Sequence, residues 1–189
     1  MGRWQPDSRG RLQEAALALY SERGFEATTA AQIADRAGLT ERTFFRHFAD
    51  KREVLFGGSA PLGEAIVSGV AGASPDLGAL DAVAAGLDAA AAMLGEFRRD
   101  LSRQRQAVIA ATPELREREL TKLATFATAI AAALRERGVS ELQATLAAEA
   151  GMAVLRVAMQ RWAGTDHGPD LATIMRESVA ELRALSQAG

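Results

Sequence analysis

The sequence contains no cysteine among its 189 residues, only two histidines, and few aromatic residues (5%). The lack of cysteine excludes a disulfide scaffold, a thiolate metal site and a cysteine nucleophile. No run of about 18 uncharged apolar residues occurs, so the sequence predicts no transmembrane helix and no membrane partner. The first residues, MGRWQP, lack the apolar core of a secretory signal, and we therefore expect a cytoplasmic protein.

Catalytic signatures are also missing from the sequence. The two histidines, His47 and His167, do not have the spacing of a metal site such as H-E-x-x-H. No phosphate-binding glycine-rich loop, nucleophile elbow or paired acidic motif is visible. We therefore expect a protein that is not an enzyme and that holds no cofactor and no metal ion, with an all-α enzyme kept as the rival class.

The residues that are abundant favour helices. Alanine occurs 41 times, and it is the strongest helix former among the amino acids. The β-branched and aromatic residues that favour strands are sparse by comparison. The composition therefore predicts an all-α fold.

The charge is distributed unevenly along the chain. The net charge is −2, yet residues 1–52 contain nine Lys and Arg against seven Asp and Glu, whereas the remainder contains thirteen against seventeen. Within residues 36–52 the balance reaches +3. A basic N-terminal part joined to an acidic body indicates an anionic partner for that part.

Residues 29–48 predict two short helices separated by a tight turn. A capping box that begins at Thr29 opens the first helix, which ends at Gly38. Thr40 caps the second helix, which runs to about Phe48.

The spacing within this segment suits a helix-turn-helix. Ala34 lies four residues before Gly38 and is small enough to let the two helices approach closely. Gly38 permits a turn with positive φ, and Phe44, six residues later, packs the second helix back onto the first. The N-terminal residues of such a helix reach base edges in the major groove. Its exposed face is predicted to consist of Glu41, Arg42, Phe45 and Arg46, with His47 at the edge.

Further helices are predicted on both sides of this motif. One runs from Ser8 to Arg23, and Asp50 is expected to cap a fourth helix. Glycine and proline interrupt the helical pattern at Gly57–Pro61, which we interpret as the domain junction. The predicted domains are therefore residues 1–56 and residues 57–189, the second being a bundle of long helices.

The N-terminal quarter of the sequence resembles a known family. FEATT at 25–29 and FADKREVL at 48–55 flank the helix-turn-helix, and residues 8–56 together resemble the N-terminal domain of TetR-family transcriptional regulators. The resemblance implies an N-terminal three-helix DNA-binding domain and a C-terminal helical bundle for ligand binding and dimerisation. Residues 109–116, IAATPELR, are similar to an actinobacterial branch of the family that includes mycofactocin-associated regulators.

This resemblance predicts a sequence-specific regulator of transcription. It implies a homodimer on double-stranded DNA with a pseudo-palindromic operator, usually acting as a repressor that a small-molecule effector releases. The alternative is a helical DNA-binding or adaptor protein without an effector. The alternative predicts a filled C-terminal core, whereas an effector-controlled regulator predicts a pocket.

The resemblance also implies individual DNA contacts. Arg42 is placed to bind guanine bidentately, and Lys51 to bind phosphate at the start of the fourth helix. Tyrosine is usual at position 45, so Phe45 lacks the hydroxyl that would bond phosphate and can pack only against a sugar or a methyl group. Arg46 and His47 are expected to compensate by contacting phosphate. The candidate DNA-binding residues are Thr28, Thr29, Thr40, Glu41, Arg42, Thr43, Phe45, Arg46, His47 and Lys51.

Two sets of candidate residues lie in the C-terminal part. Apolar side chains and one arginine predict a ligand pocket lined by Met93, Phe97, Val108, Phe126, Ile130, Met152, Arg156 and Met159. Stripes at helical spacing on the last two helices hold more apolar surface than a thin bundle can bury. They predict a dimer interface formed by Leu146, Ala150, Val157, Arg161, Ile174, Ser178, Leu182 and Leu185.

Overall fold

The structure is a computed structural model that describes residues 7–94, 99–165 and 168–187. These residues form nine α-helices and one 3₁₀ helix, with no strand among them, which confirms the predicted fold class. The α-helices are α1 (Ser8–Arg23), α2 (Ala30–Arg36), α3 (Glu41–His47), α4 (Ser59–Ala71), α5 (Ala79–Leu94), α6 (Arg99–Ala111), α7 (Pro113–Glu136), α8 (Glu141–Gly164) and α9 (Leu171–Gln187); the 3₁₀ helix is Glu53–Phe56.

The chain forms two compact units whose boundary differs from the predicted one. The first unit contains the chain up to Gly58 together with residues 104–119, and the second contains residues 59–103 and everything from Leu120 onward. The end of α6 and the start of α7 therefore belong to the N-terminal unit. Periodicity along the chain does not reveal this addition, because it depends on contacts between segments about 50 residues apart. The division at residue 56 stays a prediction.

The first unit packs α1, α2 and α3 around large apolar side chains. Leu12, Ile33, Phe44 and Val54 each have no exposed surface. Helix α1 begins and ends at the predicted residues, because the carboxylate of Asp7 accepts from the N–H of Gly10 at 2.7 Å and caps its start. The predicted order of three helices is confirmed here.

The chain after α3 differs from the prediction. The carboxylate of Asp50 accepts from the N–H groups of Arg52 (2.7 Å) and Glu53 (3.1 Å), but the helix that follows is a single 3₁₀ turn whose N-cap is Arg52. Asp50 therefore stabilises the turn before this helix and does not cap the helix as predicted. The expected interruption at Gly57–Pro61 is confined to a two-residue turn, since α4 already begins at Ser59. Pro61 lies in the first turn of α4, where a helix needs no N–H donor, so it does not break the helix.

The second unit contains a tight crossing between α4 and α5. A Cβ on Gly69 would lie 2.8 Å from the Cα of Gly86, and a Cβ on Gly86 would lie 2.6 Å from the carbonyl oxygen of Ile66. Both distances are too short for a side chain, so glycine is required at this crossing. Alanines of α5, α7 and α8 continue the close packing, among them Ala82, Ala131 and Ala148.

Arginines hold the connections between helices of the second unit. The guanidinium of Arg137 donates to the carbonyls of Ala73 (2.6 Å) and Ser74 (2.7 Å), just after α4. Arg99 donates to the carbonyl of Pro169 at 2.8 Å and lies 5.2 Å from the ring centroid of Trp162. These carbonyls lie in the connections outside the helices, so each cation links a connection to a residue distant along the chain.

Two helical stretches of the described chain are long and apolar enough to cross a membrane by length and composition alone. They are Glu53–Ala71 and Glu141–Gly164. Core helices of globular proteins pass the same test. Ile66 from the first stretch and Met152 from the second are buried in the hydrophobic core, which accounts for their apolar character.

Candidate nucleic-acid interface

The turn between α2 and α3 has the geometry that the glycine predicted. Gly38 has a φ of 64°, and its N–H donates to the carbonyl of Asp35 at 2.8 Å. The next N–H, from Leu39, donates to the carbonyl of Ala34 at the same distance. These bonds end α2, and only glycine adopts this backbone conformation without strain.

Helix α3 is fixed at its start by two threonines. The hydroxyl oxygen of Thr40 accepts from the N–H of Thr43 at 3.2 Å, and the two hydroxyls lie 3.0 Å apart. The same hydroxyls can still reach outward, since Thr40 is exposed and Thr43 is half-buried. The threonine pair therefore sets the orientation of the first turn, which is the turn that approaches base edges in a helix-turn-helix.

The two faces of α3 are those predicted from the sequence. Phe44 is fully buried and contacts Phe48 with ring centroids 5.7 Å apart, which holds the inner face against the unit. The outer face carries the exposed side chains, which are Glu41, Arg42, Phe45 and Arg46. It combines two cations, one carboxylate and one exposed aromatic ring.

The two candidate threonines before α2 have different surroundings. Thr28 is 1% exposed, and its hydroxyl donates to the carbonyl of Gly24 at 2.8 Å. It is therefore not presented to a DNA phosphate, because the residue is turned into the connector between α1 and α2. Thr29 is exposed and forms the predicted capping box with Gln32. Of the two, only Thr29 keeps the expected position.

The structure gives Lys51 a different role from the one implied by the resemblance. Its ammonium donates to the carbonyls of Phe25 (2.9 Å) and Thr28 (3.1 Å), and the carbonyl of Glu26 lies at 3.5 Å. The same ammonium lies 4.1 Å from the ring centroid of Phe25. All three N–H donors are thus directed at the connector between α1 and α2, and the phosphate contact implied by the resemblance stays a prediction.

Tyr20 also forms a hydrogen bond in this region, and its role was not predicted from the sequence. Its hydroxyl donates to the carbonyl of Lys51 at 2.5 Å. Burial raises the pKa of the Tyr20 phenol, and the negative charge of Asp50 raises it further, so the hydroxyl stays protonated and remains a donor. As the single tyrosine of the chain, it was the one signal available in the sequence.

His47 is half-buried at the end of α3. Among the residues that the structure describes, its Nε2 atom is buried and has no hydrogen-bond partner. Its ring lies 6.3 Å from that of Phe48. The buried nitrogen does not support the expected phosphate contact through Nε2, which would require the ring to turn outward.

Several arginines that stabilise the first unit were also missed. Arg9 donates to the carbonyl of Gly57, and Arg11 donates to the carbonyl of Ala37 beside the turn. Both bonds run from α1 to backbone groups 26 or more residues away. Such pairs leave no local pattern in the sequence.

The α6–α7 corner, residues 104–119, is joined to the 3₁₀ helix by two further arginines. Arg105 donates from Nε to the carbonyl of Leu55 at 2.9 Å, and its guanidinium lies 5.1 Å from the ring centroid of Phe56. Arg118 donates to the carboxylate of Glu53. These contacts explain why the corner belongs to the same compact unit as the helix-turn-helix.

Comparison with known proteins matches the N-terminal and the C-terminal parts of the chain to two separate sequence models. A sequence model described as "Bacterial regulatory proteins, tetR family" matches residues 12–56, and one described as "MftR C-terminal domain" matches residues 77–187, more than half of the chain. The chain belongs to the TetR family. The C-terminal match covers the stretch 109–116 that resembled mycofactocin-associated regulators.

Individual relatives of this TetR-family regulator match parts of the chain. It is 39% identical over 98 residues to the HTH-type transcriptional regulator TcmR of Streptomyces glaucescens, covering 52% of this chain and 39% of that protein. It is 47% identical over 47 residues to the HTH-type transcriptional repressor KstR2 of Mycobacterium tuberculosis, covering 25% of this chain and 24% of that protein. The matches thus span well under half the length of these curated relatives.

The fold of the TetR-family regulator also resembles solved structures. One is the transcriptional regulator FadR from Bacillus subtilis, crystallised in complex with stearoyl-CoA. The TM-score is 0.61 at 18% identity, over 90% of this chain and 95% of that chain. At 18% identity, this structural similarity shows that the two chains share a fold and nothing further.

Half of the predicted ligand-pocket residues of this TetR-family member belong to one hydrophobic core, and the other half do not. Val108 belongs to the first compact unit, and Arg156 is exposed on α8. Ile130 and Met152 are buried within the core of the second unit. Phe126 and Met159 pack against that core, Met93 is half-buried, and Phe97 lies outside the described residues. Helical spacing located apolar faces but did not distinguish a cavity from a packed core.

Two cavities are found in the second unit, and neither contains a predicted pocket residue. One of about 340 Å³ lies at the end of α8 and is lined by Arg161, Gly164, Thr165, Pro169 and Ile174. The other, of about 140 Å³, lies between α5 and α9 and is lined by Ala84, Leu87, Asp88, Met175, Arg176, Val179 and Arg183. Within the described ranges, no cluster of three or more metal-ligating residues occurs.

The predicted dimer residues divide into two groups. Leu146, Val157 and Leu185 are 61%, 40% and 76% exposed, so they remain available to a partner. Ile174 and Ser178 are buried within the chain's own second unit, and the hydroxyl of Ser178 donates to the carbonyl of Ile174 at 2.8 Å. These two were assigned to the wrong face of α9.

The remaining predicted dimer residues are Arg161, Ala150 and Leu182, which differ in their exposure. Arg161 is exposed and lies 3.3 Å from the carboxylate of Glu177, so α8 and α9 share this side. Ala150 and Leu182 are half-buried. The large exposed apolar residues of α8 and α9, here called the α8–α9 face, are Leu142, Leu146, Val157 and Leu185.

Proposed function

We propose that this TetR-family regulator acts as a homodimer that binds a pseudo-palindromic operator in double-stranded DNA and represses transcription. The observation that carries the proposal is the outer face of α3, where Arg42 and Arg46 are exposed on a helix whose start is fixed by Thr40. A basic, preorganised helix in a helix-turn-helix suits the major groove. The name of the relative KstR2 supports the choice of repression.

The α8–α9 face supports the dimer. Four large apolar side chains are exposed there, and monomeric proteins seldom leave such residues contiguous and uncovered. A two-fold dimer would present its two α3 helices to half-sites about 34–36 Å apart, one turn of DNA. We place the protein in the cytoplasm, where the DNA of a bacterium lies.

We further propose that a small molecule bound in the second unit releases the operator. The solved FadR complex, of the same fold, holds stearoyl-CoA, which supports an effector of some kind but not its identity. A ligand can act in this way only if it binds the DNA-competent and incompetent states unequally.

A DNA-binding protein without an effector is the second candidate. It is favoured by the packing of Ile130 and Met152 in the core, since an effector site was expected at these residues. The two candidates differ only in the response to small molecules and share the same DNA-binding surface.

The decisive experiment recovers genomic DNA fragments bound by the purified full-length protein and footprints them. We expect protected half-sites related by a two-fold axis. Arg42→Ala should still bind but relax the preference at one base pair of each half-site, at a cost of about 1–3 kcal/mol. Failure of the wild-type protein to enrich any sequence would refute the proposal. A screen for compounds that release the protein from its operator would then separate the two candidates, because only the effector-controlled regulator should respond.

A further inference from the structure

Phe45 is an exposed aromatic residue in the middle of the surface proposed to face DNA. It is 52% exposed, although it follows Phe44, which is fully buried. The two rings meet edge to face, with centroids 5.3 Å apart and an interplanar angle of 84°. The buried ring thus supports the exposed one from behind and limits the directions in which it can point.

The position of Phe45 on α3 places it beside the residues proposed to read bases. It lies four residues after Glu41 and three after Arg42, which is one helical turn, so the three side chains share one face. Arg46, also exposed, follows directly. When the first turn of α3 enters a major groove, the ring of Phe45 enters with it.

The chemistry of the groove restricts what this ring can contact. A phenylalanine has no hydroxyl, so it cannot form a hydrogen bond with a phosphate or with a base edge. The edges of the four base pairs in the major groove present hydrogen-bond donors and acceptors and a single apolar group, the C5-methyl of thymine. Covering a polar edge with an apolar ring would cost free energy, whereas covering a methyl group removes two apolar surfaces from water.

We propose that Phe45 is a specificity-determining residue that selects thymine in each half-site through its C5-methyl group. The inference rests on the proposed function, because it requires the outer face of α3 to enter the major groove. It assigns the apolar part of the readout to Phe45 and leaves the polar part to Arg42.

The test removes the methyl group alone. In the operator recovered from genomic DNA, each thymine is replaced in turn by deoxyuridine, which keeps the base pairing and every hydrogen-bonding group. The full-length protein should show one thymine per half-site whose replacement weakens binding about fourfold, and about 15-fold when both half-sites are changed, as expected for burial of one methyl group each. Replacement at the remaining positions should have little effect.

Variants attribute the effect to the ring. Phe45→Ala should bind more weakly and lose the sensitivity to deoxyuridine at that position. Phe45→Gln, which favours the helix and keeps a side chain of similar length, should lose it as well and serves if the alanine variant fails to fold. Phe45→Leu should retain part of the sensitivity, and Arg42→Ala should retain all of it. Circular dichroism and melting temperature verify the fold of each variant.

The outcomes distinguish a failure of the role assigned to Phe45 from a failure of the proposed function. If the protein protects an operator but every deoxyuridine replacement is neutral, or if the sensitivity survives in Phe45→Ala and Phe45→Gln, the role of Phe45 is refuted and the proposed function stands. If no operator is protected at all, the proposed function itself fails.

Discussion

Replacement of Lys51 tests whether this lysine stabilises the first unit, as its contacts indicate, or binds phosphate, as the family resemblance implied. Its ammonium donates to the carbonyls of Phe25 and Thr28 at 2.9 and 3.1 Å and lies 4.1 Å from the Phe25 ring centroid. We therefore expect Lys51→Ala to destabilise the first unit, because both carbonyls lose a charged donor and that of Phe25 keeps only the N–H of Thr28, at 3.2 Å. A role in phosphate binding would instead leave the stability unchanged.

The size of the effect follows from these contacts. A hydrogen bond from a charged donor contributes about 1.5–3 kcal/mol, and a partly exposed cation–π contact contributes about 0.5–1 kcal/mol. Since Lys51 is half-buried and water can replace part of what is lost, the lower values apply. We expect a loss of about 2–4 kcal/mol, which corresponds to a fall of about 1–2 M in the urea midpoint for a typical slope.

The assay combines urea unfolding with the salt dependence of DNA binding. For Lys51→Ala, the urea midpoint should fall, while the slope of log K against log salt should stay as in the wild type under folded conditions. Arg46→Ala is the matched control, because its exposed cation lies on the outer face of α3: its slope should fall by about 0.9 for each lost phosphate contact, with no change in stability. The reasoning is refuted if Lys51→Ala has the urea midpoint of the wild type and a smaller slope of log K against log salt.

Three further predictions concern other parts of the chain. Burial raises the pKa of the Asp50 carboxyl, but hydrogen bonds from the Arg52 guanidinium (2.8 Å) and from the N–H groups of Glu53 and Arg52 outweigh it and hold the pKa below the usual value. Its stabilising effect is therefore complete above the unfolded pKa of about 3.9 and is lost as the pH falls through the folded pKa. Asp50→Asn should flatten the acid side of a melting-temperature profile, and an unchanged profile would contradict this expectation. Gly86→Ala should cost about 1–3 kcal/mol in chemical unfolding, because its Cβ would press on the carbonyl of Ile66, and a variant as stable as the wild type would show that the crossing can relax. Leu146→Glu should yield monomers in light scattering, whereas Leu120→Glu, equally exposed but on α7, should leave the dimer intact; monomers from both or from neither would rule out the α8–α9 face.

The sequence was sufficient for the features that depend on local chemistry. The caps at Thr29 and Thr40, the positive φ of Gly38 and the burial of Phe44 each follow from a residue and its neighbours within one or two turns. The amphipathic pattern of α3 predicted which side chains would be exposed, and these are the side chains on which the proposed function depends.

What could not be predicted depends on partners distant along the chain. Thr28 and Lys51 have the residue types of a phosphate site, yet the first is buried and the second serves a connector 23–26 residues away. On α9, helical spacing gave the correct period but not the side that packs on the chain's own core, so Ser178 was placed on the partner-facing surface.

The α6–α7 corner affects the order in which the two units of this protein can fold during synthesis on the ribosome. The compact unit that contains the helix-turn-helix draws on two stretches of chain, and Arg105, Val108 and Leu115 of the later stretch are anchored or buried there. Domains usually fold in the order of their synthesis. In this chain the part proposed to read DNA cannot be complete until residue 119 has emerged, by which time much of the second unit has been made as well. A fragment cut at Gly58 would consequently lack part of its own core.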